Sequence, residues 1–134
     1  MDDAQLAAGL VREAAELATR IRAEGLAVKH KTSVSDIVTQ ADTAAERLIV
    51  EQLALARPDD AIVGEEGTSR PGASGRTWVI DPVDGTYNFH RGLDWWCSAL
   101  ALAEGDDVVL GAVHHSATGE TFVGGPDLPS MCNG

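Results

Sequence analysis

Two acidic stretches could do chemistry in this chain of 134 residues: Glu65-Glu66, directly after Ala61-Ile62-Val63-Gly64, and Asp81-Pro82-Val83-Asp84-Gly85-Thr86, directly after Arg76-Thr77-Trp78-Val79-Ile80. Adjacent carboxylates leaving a buried strand are costly unless they are solvated or bound to a cation. If the two strands are neighbours in one sheet, Glu65, Asp81 and Asp84 converge. Oxygen ligands of this kind suit a hard cation such as Mg²⁺, and neither His nor Cys is placed to favour zinc. The turn from Pro82, where the strand is expected to stop, to Gly85 adds the Val83 carbonyl. Gly85 and Thr86 then present backbone N–H groups at the start of a short helical turn ending at Gly92, a seat for a phosphate group.

The chemistry implied is phosphate ester hydrolysis. A monoester repels its nucleophile; divalent cations neutralise it, make water nucleophilic and stabilise the leaving oxygen. Glu65 as general base and the Thr86 hydroxyl as proton relay would both be within reach of that water. Two other site types can be compared. An EF-hand needs oxygens at loop positions one, three, five and twelve; counted from Asp81, these fall on Asp81, Val83, Gly85 and Gly92, which excludes it. Aspartyl-phosphate phosphatases of the haloacid dehalogenase type use Asp-x-Asp-Gly-Thr. Here the aspartates are one residue further apart and an acidic pair lies upstream, so covalent catalysis is the alternative rather than the first reading.

The elements that must position these residues can be read in chain order. Leu6, Leu10, Ala14, Leu17 and Ile21 recur at helical spacing over Asp3–Glu24, with Gly25 as the expected stop. A polar, basic segment, Val28–Asp36, follows. Thr39 is expected to cap a second amphipathic helix with Asp42 in its first turn, running to Arg57 before Pro58. Ala61–Gly64 and Arg76–Ile80 read as strands separated by a Gly, Ser and Pro-rich loop from Thr68 to Gly75. Trp95–Leu102, Val108–His114 and Glu120–Val123 read as an antiparallel meander. Asn133-Gly134 is a strong hairpin signal with no returning strand after it, which suggests a piece of a longer protein.

Composition narrows the functional classes. The 44% hydrophobic share is enough for one domain's core. Ten basic residues against 21 acidic ones give a net charge of -11, which repels nucleic acid and anionic membranes. A phosphate ligand would therefore need metal ions as intermediaries. The Met1-Asp2-Asp3 start lacks the basic lead-in of a secretory signal. The longest uncharged apolar run, Trp95–Ala103, falls well short of the ~20 residues that span a bilayer. A cytoplasmic protein is expected. Cys97 and Cys132 have no metal-binding spacing and are expected to be reduced packing residues.

Taken together, Lys31 with Ser35-Asp36-Ile37-Val38-Thr39-Gln40-Ala41-Asp42, Gly64-Glu65-Glu66-Gly67 and Trp78-Val79-Ile80-Asp81-Pro82-Val83-Asp84-Gly85-Thr86-Tyr87-Asn88-Phe89 resemble the N-terminal part of the inositol monophosphatase family of Mg²⁺-dependent, lithium-sensitive phosphatases. The resemblance implies an α/β, layered sugar-phosphatase-like fold: two amphipathic helices packed on a mostly antiparallel sheet. It implies two or three Mg²⁺ ions in the intact enzyme. Glu65, Asp81 and the Val83 carbonyl would bind the first, and Asp81 with Asp84 the second. Gly85 and Thr86 would receive the phosphate, and Glu65 with Thr86 would activate water for in-line attack, supported by Asp42. Lys31 would lie on the family's mobile loop that closes over the site.

The chain departs from the family at Asp94, where proline is common, and at the bulky Trp95-Trp96-Cys97, expected to be sheet-packing positions. The family's later Trp-Asp-x-Ala-Ala-Gly motif, whose aspartate completes the second metal site, does not occur in these 134 residues. Residues 1–134 are thus expected to form a metal- and phosphate-binding domain without its C-terminal substrate domain, inactive or nearly so alone. The intact protein would be a homodimer acting on a small phosphorylated substrate: inositol monophosphate first, with histidinol phosphate, fructose 1,6-bisphosphate or a nucleotide 3'-phosphate as alternatives. A non-catalytic metal-binding module is the reading from a different class.

Overall fold

The computed structural model describes residues 1–27 and 33–134. Helix α1 (Asp3–Ala27) opens on a reciprocal cap: the Asp2 carboxylate accepts from the Gln5 N–H at 2.8 Å, and the Gln5 side chain accepts from the Asp2 N–H at 3.0 Å. The expected stop at Gly25 is not used. Gly25 lies inside the helix, where a Cβ would come 2.8 Å from Ile37 Cγ2, so it is a contact point between helices.

Helix α2 (Val34–Ala56) also differs from expectation at its start. Ser33 is the cap, its hydroxyl accepting from the Asp36 N–H at 3.1 Å. Thr39 is internal, and its hydroxyl donates back to the Ser35 carbonyl at 2.9 Å. Asp42 therefore lies more than two turns into the helix rather than in its first turn, and it is buried. The end at Ala56, with Arg57 as cap, agrees with Pro58 as terminator.

Seven strands form one sheet in the order β2-β1-β3-β4-β5-β6-β7. Strand β1 (Ala61–Gly64) runs parallel to β3 (Arg76–Asp84), and every other pair is antiparallel. β4 (Cys97–Glu104), β5 (Asp107–His115) and β6 (Glu120–Gly125) are the expected meander. Two short strands were not anticipated: β2 (Ser69–Arg70), inside the expected loop, and β7 (Leu128–Cys132). Asn133 follows β7 in the left-handed conformation, φ 58, and its side chain accepts from the Thr121 N–H.

Both helices cover one face of the sheet. Alternation along the strands sends Trp78, Ile80, Leu100, Leu102, Leu110 and Ala112 into that core. On α1 they meet small side chains, Ala7, Val11, Ala14, Ala15 and Ala18, which let the helix lie close to the strands. The opposite face leaves Val63, Val79 and Phe122 exposed, and an apolar concavity of about 670 Å³ lined by Val79 and Phe122 reaches Asp81 at one side. Among the described residues, no helix is long and apolar enough to cross a membrane.

Candidate active site

The parallel pairing of β1 with β3 assembles the site. Gly64 is in register with Ile80, and the ladder continues one step as the Glu65 N–H donates to the Ile80 carbonyl at 3.1 Å. Glu65 and Asp81 thus leave adjacent strands side by side, close enough for Glu65 to raise the Asp81 carboxyl. Pro82 does not stop β3. The strand continues to Asp84 through a register shift between Asp81 and Asp84. A bulge accommodates proline because the missing N–H is not needed there. The buried Ser98 hydroxyl donates to the Pro82 carbonyl at 2.6 Å, and Asp84 pairs with Cys97.

Gly85 makes the following turn possible. Its φ is 92°, and a Cβ would lie 2.9 Å from the Trp95 carbonyl oxygen, so the left-handed conformation and the close approach both require glycine. Helix α3 (Thr86–His90) starts there as the expected short turn. The Thr86 hydroxyl donates to the Val83 carbonyl at 3.1 Å, which puts two proposed site oxygens in contact. The Asn88 amide donates to the Trp95 carbonyl at 2.8 Å. Phe89 packs edge-on against Trp96 at 4.7 Å, with the Arg22 guanidinium of α1 4.6 Å above its ring. Trp96 is therefore a packing residue as expected, but Trp95 is 77% exposed, outside the strand, and stacks on His115. Trp95, His115, Asp84 and Gly85 line a trough of about 500 Å³ beside the turn.

The electrostatics are those of crowded carboxylates. Burial pushes Asp81 up to about 7, reinforced by the neighbouring Glu65 carboxylate and by the charges of Asp84 and Asp42. Burial likewise pushes Asp42 up to about 7, with Glu66, Glu65 and Glu46 adding to it. Glu66 is raised by burial, then by Glu46 and Glu65. Among the described residues, Asp42 and Asp81 each have a buried Oδ1 with no hydrogen-bond partner. Among the described residues, none of these carboxylates has an ion pair. Cys97, raised to about 11 by burial and then by Asp84 and Asp81, remains a thiol, and both cysteines are free.

These orphaned oxygens and the all-oxygen donor set fit a hard divalent cation. Among the described residues, no three such side chains form an ion-holding group by themselves. The fold thus brings Glu65, Asp81, Asp84 and Asp42 into one cluster and sets the Val83 carbonyl and Gly85 beside Thr86. Lys31 lies outside the described residues. Sequence reasoning missed Glu46, a buried acid one turn after Asp42; its place four residues on, on the apolar stripe of α2, was the available clue.

The inositol monophosphatase family model matches residues 2–134. A fructose-1,6-bisphosphatase/inositol-1-monophosphatase of Thermotoga maritima is 41% identical over 107 residues, covering 80% of this chain and 41% of the relative. A histidinol-phosphatase of Streptomyces coelicolor is 43% identical over 129 residues, covering 91% of this chain and 47% of the relative. The solved Thermotoga maritima IMPase structure superposes with a TM-score of 0.80 at 35% identity, over 100% of this chain and 52% of that one. The chain thus spans about half the length of the curated relatives it matches.

Proposed function

Because the chain belongs to the inositol monophosphatase family, we propose that it supplies the metal- and phosphate-binding half of a Mg²⁺-dependent phosphomonoesterase. The observation that carries this reading is the buried Oδ1 of Asp81, unpartnered among the described residues, beside Glu65 in a carboxylate cluster. Glu65, Asp81 and the Val83 carbonyl would hold one cation, and Asp81 with Asp84 would take part in a second. Bound there, Mg²⁺ would lower the charge barrier between ester and nucleophile and make water more acidic. Gly85 and Thr86 would orient the phosphate through their backbone N–H groups. The Thr86 hydroxyl, already donating to Val83, keeps lone pairs for an incoming water. Water would add to phosphorus in line with the departing ester oxygen, passing one proton by way of the Thr86 hydroxyl to Glu65, with Asp42 behind them, while the P–O bond to the alcohol breaks and the released alkoxide takes up a proton from solvent.

Inositol monophosphate is the first substrate reading. Histidinol phosphate is the second, favoured by the match to a relative named histidinol-phosphatase over 91% of this chain. The test is Mg²⁺-dependent phosphate release from inositol 1-phosphate, histidinol phosphate and fructose 1,6-bisphosphate, with and without lithium. Residues 1–134 alone are expected to bind Mg²⁺ without turnover. Fusion to a domain carrying Trp-Asp-x-Ala-Ala-Gly is expected to give release from one of the esters. Robust release by residues 1–134 alone would overturn the half-site reading, and none from the fusion would overturn the phosphatase.

A further inference from the structure

Glu46 is 2% exposed, yet it carries a carboxylate in the core side of α2 with no ion pair among the described residues. A buried charge is retained only where hydrogen bonds compensate it. Here they all come from one place. Its Oε1 accepts from the Glu66 N–H at 2.9 Å, and its Oε2 accepts from the Thr68 hydroxyl at 2.7 Å and the Thr68 N–H at 3.4 Å. Its carboxylate occupies the space where a Cβ on Gly64 would stand, so Gly64 is required for this approach. The turn it grips is closed by the Gly64 N–H donating to Thr68 O at 2.9 Å and the Gly67 N–H to Gly64 O at 3.3 Å.

We infer that Glu46 is a positioning residue: it clamps the Gly64–Thr68 turn so that the Glu65 carboxylate is held beside Asp81, prepared for a cation. The cation part of this inference rests on the proposed phosphatase reading; the clamp itself does not. The side chain acts through two backbone N–H groups and the Thr68 hydroxyl. Its length is what matters, because the carboxylate must cross from α2 to the end of β1. Glu46→Asp keeps the charge and shortens the reach by one methylene, whereas Glu46→Gln keeps the reach and the oxygen that accepts from the Glu66 N–H, loses the charge, and presents an NH2 that can donate to the Thr68 hydroxyl oxygen.

The test uses the full 134-residue chain with two readouts, amide hydrogen exchange at Glu66 and Thr68, and Mn²⁺ titration followed by electron paramagnetic resonance. In Glu46→Asp, both amides are expected to exchange at least about tenfold faster and Mn²⁺ affinity to fall about tenfold, the usual size for groups that orient metal ligands. Glu46→Gln is expected to lose less than about threefold in affinity, a rescue by reach that a charge-only role would not give. Thr68→Val removes one donor and gives a smaller change of the same sign if Glu46→Asp does not fold. Unchanged Glu66 exchange in Glu46→Asp, or equal losses in the Asp and Gln variants, would overturn the clamp. If the parent chain binds no Mn²⁺ while the exchange pattern holds, the clamp stands and the metal reading of the proposed function falls.

Discussion

Asp81 carries opposing demands. Without a cation its ionised form is disfavoured by burial, by Glu65 and by the charges of Asp84 and Asp42, so at neutral pH it weakens the fold that holds it. With a cation bound as proposed, the same crowding would become affinity. Asp81→Asn separates the two effects: Mn²⁺ binding is expected to be lost while the cation-free chain melts at a higher temperature above pH 7. A thermal melt with a parallel Mn²⁺ titration checks both, and retained Mn²⁺ affinity would sink the assignment of Asp81 as a ligand. Gly85 shows a simpler dependence, since its φ of 92° and the Trp95 carbonyl leave no room for a side chain. The aspartates, Gly85 and Thr86 were legible in the sequence because their spacing is local. Glu46 was not, because its partners at Glu66 and Thr68 are twenty or more residues away.

At the level of elements, boundaries set by local capping differ from those set by packing. The second helix was expected to start at Thr39, yet Ser33 caps it. That earlier start moves Asp42 and Glu46 from the helix end into its buried middle, facing the acidic turn. The first helix was expected to end at Gly25, yet it continues to Ala27 because Gly25 abuts Ile37 of α2. Two terms compete in Gly25→Ala: alanine gains up to about 1 kcal/mol in helix propensity, whereas overpacking against a β-branched side chain costs about 1–3 kcal/mol. The contact at 2.8 Å involves Ile37 carbons next to its Cβ, which cannot swing away cheaply. Net destabilisation of about 1 kcal/mol is therefore expected in chemical denaturation; a stabilised variant would show that the helices separate to make room.

Across the whole molecule, two groups of carboxylates respond to pH with opposite sign. Asp42 and Asp81 are raised to about 7, so their cost is fully present above that pH and is relieved as pH falls toward the ordinary carboxylate range, and Glu66, also raised, acts with the same sign. For Asp60, burial pushes upward but hydrogen bonds from Ser74, Trp78 and Arg76, with the Arg76 charge, hold it below its usual value. Its stabilisation is present above the ordinary value near 4 and is lost as pH falls through the folded one. Asp60 with Arg76, Asp3 and Arg57 ties α1, the end of α2 and β3 together, so that loss is felt globally. In chelator, the melting temperature is expected to rise from pH 8 to about pH 5 and fall below about pH 4. Saturating Mg²⁺ should flatten the first limb; a monotonic curve in chelator would contradict the picture.

Local chemistry determined the two helices, the meander, the metal-friendly acids and the glycine turn, since helical period, strand alternation and motif spacing are properties of neighbouring residues. Only the tertiary structure decided that β1 lies parallel beside β3, that Pro82 sits within a bulged strand, and that Glu46 reaches across to hold the Glu65 turn. Those features depend on sheet register and on the meeting of segments far apart in the chain, where burial and long-range hydrogen bonds outweigh local preference.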